Sequence, residues 1–237
     1  MVRPLVIIGG YLTSPNDFSA LAQALSQPPF DFRVFVTPIG RLRWALTRDW
    51  DFRPVLRIVR ETVAQALHET GAETVTILAH SVGGTVARMY LGDQPYKGEI
   101  YGGHRFVDHL IMLGTPHHSQ EFWTRQTVGF TNRSYPGAYY RHIRYTSIIG
   151  RSIQANRKGR WIERMAYNSY VMIDGPAGAQ AWGDGITTLR CAALAGAEYL
   201  VVPGLHHSPI HGRPWYGDPD GLREWQRVLM RSSPLVV

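Results

Sequence analysis

The sequence predicts an α/β fold, a doubly wound and mostly parallel sheet with helices on both faces and an inserted cap or lid. Three observations carry this expectation. Short β-branched runs alternate with segments of helical periodicity, as a parallel sheet with crossover helices requires. One strand pattern, ending in T-V-T-I-L-A-H-S-V-G-G at positions 74–84, stops at a serine among small residues and passes directly into helical sequence. A stretch of about fifty residues, 119–169, differs in composition from everything around it.

The elements follow in chain order. Leu5 to Ile8 reads as the first strand, and Ser14-Pro15-Asn16-Asp17 as the cap of a helix running to Leu25. Phe32 to Val36 is the next strand. Pro54 to Thr70 is helical, with Leu56, Val59, Val63, Ala66 and Leu67 on one face and Gly71 as terminator. Val75, Ile77 and Leu78 mark a buried strand, and Thr85 to Leu91 a helix closed by Gly92. Beyond these, Phe106 to Leu113, Tyr170 to Ile173 and Tyr199 to Val202 read as strands, and Gly221 to Met230 as a last helix.

The chain has 237 residues, which suits a single domain spanning 1–237 with an insertion rather than two domains. Cys191 is its one cysteine, which excludes an internal disulfide framework and argues against a thiolate metal site; it reads as a small buried hydrophobe. Apolar runs are too short to cross a bilayer, and Met1-Val-Arg-Pro-Leu-Val-Ile-Ile is too short for a secretory core. A cytoplasmic protein is expected, with peripheral membrane attachment left open.

Segment 119–169 is assigned to the cap because so long a stretch without its own pattern is unusual as a plain loop. It carries nine Arg and Lys residues against only Glu121 and Glu163, an excess equal to the net charge of +7 of the whole chain. Trp123, Tyr139, Tyr140, Trp161 and other aromatic residues are interleaved with these cations. Such a surface suits an anionic lipid interface, where rings rest at headgroup depth and guanidinium groups pair with phosphate. It could also suit single-stranded nucleic acid, but no recognition motif accompanies it, so no nucleic-acid partner is expected.

Ser81 is the candidate nucleophile. A strand-to-helix turn that lifts a hydroxyl above a sheet edge strains the serine backbone and crowds the positions two before and two after it. Those positions are Ala79 and Gly83, and Gly84 lets the following helix approach the sheet. A serine needs a base, and the base needs a group that fixes its tautomer. In doubly wound hydrolases these follow later in the chain, acid first and then histidine. W-G-D-G-I-T-T offers Asp184, flanked by glycines that free its backbone, with Asp174 as rival. P-G-L-H-H-S-P-I-H offers His207, with His206 and His211 as rivals.

Acyl transfer also needs donors for an oxyanion. The N–H of Val82 is one, and the glycine loop I-I-G-G-Y-L-T-S supplies another from Tyr11, with Leu12 behind it. That loop matches neither phosphate-binding glycine pattern, so nucleotide binding has little support. Thr115 and His117 in L-G-T-P-H-H-S stand near the same edge and could support or line the cleft, as could Trp123 from the cap. His80 reads as a local packing residue. Ten histidines without a metal-ligand spacing give no metal site and no cofactor.

Taken together, I-I-G-G-Y, L-A-H-S-V-G-G, L-G-T-P-H, G-D-G-I-T-T and H-H-S-P make the sequence resemble the α/β-hydrolase superfamily. Within it the chain is similar to lipase-like members related to bacterial triacylglycerol lipases and inositol-deacylase-type lipases. G-D-G-I-T-T and H-H-S-P, with R-P-W-Y-G following, are similar to a group of hydrolases from cyanobacteria and plastids. The resemblance implies Ser81, Asp184 and His207 as a catalytic triad. Gly9 stands where these proteins usually carry histidine, and Ala79 where they usually carry the first glycine of the turn. The expected activity is cofactor-free hydrolysis of carboxylic esters, with lipid or acyl-lipid esters ahead of small soluble ones. An acyltransferase using the same residues, or a binding module without catalysis, are the alternatives.

Overall fold

The structure, a computed structural model, describes residues 2–47, 51–120 and 125–230. Its main sheet has six strands in the order β2-β1-β3-β4-β5-β8, every adjacent pair parallel. In chain order the elements are β1 (Arg3–Ile8), α1 (Ser19–Leu25), β2 (Phe32–Val36), α2 (Arg41–Thr47), α3 (Arg53–Thr70), β3 (Val75–His80) and α4 (Val82–Leu91). There follow β4 (Val107–Leu113), α5 (Arg125–Ser134), β5 (Arg144–Arg151), β6 (Ile153–Gln154), α6 (Trp161–Asp174), β7 (Trp182–Gly183), α7 (Leu189–Ala192), β8 (Glu198–Pro203) and α8 (Pro219–Trp225). β6 and β7 form a separate antiparallel pair.

Alternation along the strands divides the core in two. Val6, Ile8, Ile77 and Ala79 join one apolar cluster with Val59 and Val63 of α3 and Val86 of α4. Leu5, Ile7 and Leu78 point the other way, into a cluster with Leu21 of α1 and Leu222 and Trp225 of α8. Period-two strands buried on both sides thus explain why these runs are continuously apolar. The chain winds from β1 to β2 in one direction, then returns across the sheet from β3 onwards. Strand order therefore reverses between β1 and β3, and the crevice beyond their carboxyl ends is where such sheets bind ligands.

α3 matches its expected span to within a residue, ending at Gly71, whose φ of 65° lets its N–H reach Leu67 O. Two expectations need correction. Tyr170 to Ile173 is the last turn of α6, not a strand. A short run of aromatic and branched residues has no period of its own, and here burial of Ala166, Tyr170 and Ile173 along one face sets helical spacing. The strand actually present is β5, inside the stretch 119–169 assigned to the cap. It joins β4 to β8 with Thr146, Ser147, Ile148 and Ile149 all buried, so that stretch is not one inserted lid. Polar Thr146 and Ser147 hid a central strand.

The end helices are also shorter than expected. Pro15–Phe18 forms a 3-10 turn ahead of α1, and α8 ends at Trp225 with a further 3-10 turn at Gln226–Val228. Among the described residues, no helix is long and apolar enough to cross a membrane.

Close approach of backbones fixes the turn at Ser81. A Cβ on Gly83 would lie 2.5 Å from Gly9 O and 2.7 Å from Ile8 O, both backbone atoms that cannot swing aside. Gly83→Ala is therefore expected to destabilise the protein by about 1–3 kcal/mol through overpacking. Urea denaturation of the variant beside the parent protein measures it; equal midpoints would contradict the packing described.

Candidate active site

Ser81 sits between β3 and α4 with φ 55° and ψ −131°, a backbone conformation that a residue with a Cβ rarely adopts. Its N–H donates to Leu113 O across the sheet at 2.9 Å, and Gly84 N–H closes the turn onto Ser81 O at 3.0 Å. Gly10, from the loop after β1, runs so near that a Cβ there would lie 2.6 Å from Ser81 Cβ. The first and third parallel strands thereby bring the glycine loop and the serine together at the switch point.

Three distant segments meet here. His207 Nε2 lies 3.0 Å from Ser81 Oγ, and His207 Nδ1 lies 2.8 Å from Asp184 Oδ2. A carboxylate can only accept, so Nδ1 carries the proton and Nε2 presents its lone pair to the serine hydroxyl. Asp184 is 1% exposed. Its Oδ1 accepts from the N–H groups of Ile186 and Thr187, and its Oδ2 also accepts from the Tyr216 hydroxyl at 3.0 Å. Its backbone carbonyl receives His207 N–H at 2.9 Å, so two bonds tie the acid and the histidine. Burial pushes the Asp184 carboxyl up, but the adjacent His207 ring and the hydrogen bonds from His207, Thr187 and Ile186 outweigh it and hold the carboxyl below its ordinary value.

The rivals are placed elsewhere. Asp174 is engaged by Arg190, Thr188 and His118. The His206 ring faces Pro214 O at 3.1 Å, away from Ser81. His211 pairs with Ser208 Oγ, and burial followed by the nearby His207 lowers its pKa to about 4. His80, beside the serine, donates from Nε2 to His207 O at 3.0 Å. Burial, then His207, lowers its pKa to about 3, so it stays neutral beside the His207 ring.

Val82 heads α4, where first-turn N–H groups have no carbonyl of their own helix to meet. Tyr11 follows Gly10 in a turn closed by Thr13, whose N–H and Oγ1 both donate to Gly10 O. Leu12 at the tip is 67% exposed with φ 60°. Thr115 and His117 are buried rather than facing open solvent. Thr115 fills the space that the absent side chain of Gly84 leaves, and His117 packs beside the buried Arg88. Both residues therefore pack against α4. Trp123 lies outside the described residues.

Two tyrosines complete the site; Tyr216 lies in the R-P-W-Y-G segment, whose role the sequence does not reveal, and no motif marks Tyr170. Tyr216 accepts from Gly150 N–H at 2.6 Å while donating to Asp184, linking β5 to the acid. Tyr170 accepts from Gly185 N–H and donates to Ile153 O, steadying the peptide just after Asp184. Finding either would have required knowing that β5 lies in the sheet.

The family model of a PGAP1-like alpha/beta domain matches residues 54–134, which include all but the first residue of α3, the serine turn and α4. Phospholipase PlaB from Legionella pneumophila is similar in structure at 14% identity and a TM-score of 0.54, over 88% of this chain and 53% of that one. A second structure of that phospholipase, in complex with thio-NAD, gives 16% identity and a TM-score of 0.58 over 87% and 52%. A gene product of Listeria innocua gives 10% identity and a TM-score of 0.59 over 99% and 96%. The chain thus spans about half the length of the phospholipase. No protein of curated function matches the sequence. The chain has the α/β-hydrolase fold, and the structures it is similar to include a phospholipase.

Tyr216→Phe leaves Gly150 N–H without its acceptor and removes a donor from a buried carboxylate. Denaturant titration is expected to show a loss of about 1–3 kcal/mol. The lowered Asp184 carboxyl also has a pH signature. Its stabilisation is fully present above the unfolded value, ordinarily 3.8, and disappears as pH falls through the lower folded value. Asp184→Asn should flatten the acid limb of the stability curve; an unchanged acid limb would refute the coupling.

Proposed function

We propose that the protein hydrolyses carboxylic esters through an acyl-enzyme at Ser81. The observation that carries this reading is the unbroken relay from Ser81 Oγ through the His207 ring to the buried Asp184. In the proposed reaction Ser81 Oγ attacks the ester carbonyl carbon while His207 Nε2 takes its proton. Asp184 holds the ring and stabilises the imidazolium that forms. The N–H groups of Val82 and Tyr11 receive the developing oxyanion. Collapse breaks the bond to the alcohol, which leaves with the proton from His207. Water then attacks the acyl-serine with His207 again as base, releasing the acid and restoring the hydroxyl.

Lipid or acyl-lipid esters are the proposed substrates. Support comes from the apolar side chains exposed around the site: Leu12 in the glycine loop, Ile210 in the loop that carries His207, and Leu42 and Leu46 one turn apart on α2. α2 is tied to the glycine loop by Arg41, whose Nε donates to Leu12 O. Exposed leucines with flanking Arg41 and Arg43 suit a surface of acyl chains and anionic headgroups. The similarity to a phospholipase agrees with this choice. The cations of 119–169 support it less than their number implies, since Arg144 pairs with Glu198 and Arg160 with Glu163.

Ser81→Ala should reduce turnover of a p-nitrophenyl ester by at least about 10³-fold, with the circular dichroism spectrum unchanged. A fluorophosphonate probe should label the parent protein at Ser81 and leave the variant unmarked. Labelling elsewhere, or activity retained in the variant, would reject the reading. Hydrolysis of esters in anionic vesicles should exceed that of the same esters as monomers; equal rates would remove the lipid preference.

A further inference from the structure

His118, Asp174 and Cys191 come from three separate parts of the fold: the loop after β4, the end of α6, and α7. Their donor atoms converge. His118 Nε2 lies 2.9 Å from Cys191 Sγ and 3.0 Å from Asp174 Oδ1, and all three donor atoms lie within 4.8 Å of one another. We propose that these three side chains bind a thiophilic divalent cation, Zn²⁺ by preference, at a site apart from Ser81.

The donor set is the first reason. One imidazole nitrogen, one sulfur and one carboxylate oxygen form a combination that zinc accepts and that magnesium or calcium does not favour. Geometry is the second. Around tetrahedral zinc, such donors stand roughly 3.4–3.6 Å apart. The observed separations from His118 Nε2 therefore need to open by only a few tenths of an ångström. His118 is half-exposed and supplies that adjustment as well as an entry path, while Asp174 and Cys191 are buried and fixed. The ring nitrogen of His118 faces both sulfur and carboxylate, so one ion placed there would meet all three donors.

The surroundings already resemble a support for ligands. Thr188 Oγ1 donates to Asp174 Oδ2 and also accepts the N–H of Cys191, so one hydroxyl orients two of the three donors. Arg190 is ion-paired with Asp174, its own side chain 63% exposed. On metal binding Arg190 yields Oδ1 and turns towards water, and the cation takes over compensation of a carboxylate that is 2% exposed. The Cys191 thiol gives up its proton to solvent as the zinc–sulfur bond forms. Water fills the remaining coordination position.

The consequence reaches Asp184. Residues 184–191 run from the acid to the cysteine, and Thr187 within that stretch holds Asp184 Oδ1 by its N–H and Gly114 O by its hydroxyl. A metal at Cys191 would fasten this stretch to both α6 and the loop after β4. The linear spacing of 118, 174 and 191 conceals the cluster, which is why the sequence gives an expectation of no metal.

Cobalt(II) is the probe, added to chelator-treated full-length protein. Because Cys191 is the single cysteine of the chain, any thiolate-to-cobalt charge-transfer band reports on it. The expected result is a band that saturates at one equivalent, is abolished by Zn²⁺, and needs at least about tenfold more cobalt in His118→Gln and Asp174→Asn. Zn²⁺ should raise the Tm of the parent protein and of a His68→Ala control, but not that of His118→Gln, whose half-exposed position keeps the fold. Absence of the band, or a band and Tm response unchanged in His118→Gln, would overturn the proposal. Ser81→Ala should bind cobalt like the parent, so the outcome is independent of ester hydrolysis.

Discussion

A carboxylate at the centre of a protein is costly unless its oxygens are satisfied, and Asp184 sets terms that much of this molecule meets. Its four acceptor interactions come from Ile186 and Thr187 in its own turn, from His207 after β8, and from Tyr216 beyond that. Removing any one leaves a charge in a medium that cannot hydrate it. The segments after β7 and β8 are therefore held in register by one side chain. That same requirement fixes the His207 ring, since Nδ1–H has one place to go and Nε2 is left facing Ser81.

The other half of the site depends on absence of side chains. Gly10 passes over Ser81, Gly83 lies against the carboxyl end of β1, and Gly84 accommodates Thr115. Each close approach lets the backbone, rather than a side chain, form the wall around the hydroxyl. The unfavourable φ of Ser81 persists because hydrogen bonds to Leu113 O and from Gly84 N–H, together with buried β3 and α4, determine it from both sides. In the proposed reaction the same glycines admit a planar ester and its oxyanion.

Behind this edge lies a layer of buried polar residues that links the sheet to its covering helices. Arg88 of α4 is 3% exposed and has burial lower its pKa to about 10, so it remains a cation. Its guanidinium meets Asn132 Oδ1 and Tyr135 O at the carboxyl end of α5, where carbonyl dipoles favour positive charge. Asn132 in turn donates to His117 O. The helix that carries Val82 is thus tied to α5, and the loop after β4 is gripped between them. The Asp174 cluster performs a similar task one loop further on.

What could be read from residues alone was what local chemistry enforces. A hydroxyl at a strand end among Ala79, Gly83 and Gly84 has few alternatives, because only small residues tolerate that turn. Asp184 between glycines and His207 after a terminal strand stood out as candidates for a similar reason, but the chain around them left Asp174, His206 and His211 as rivals. The strand β5 was not legible, since Thr146 and Ser147 look polar until β4 and β8 cover them on both sides, and Tyr170 looked like a strand residue until packing set a helical period. Tyr216 and the meeting of His118, Asp174 and Cys191 depended on segments far apart in the chain. The sequence by itself determined which groups could react and in what order they occur, because backbone sterics act over a few residues. Only the tertiary structure decided which of them touch, because proximity between distant segments is set by how whole strands and helices bury one another.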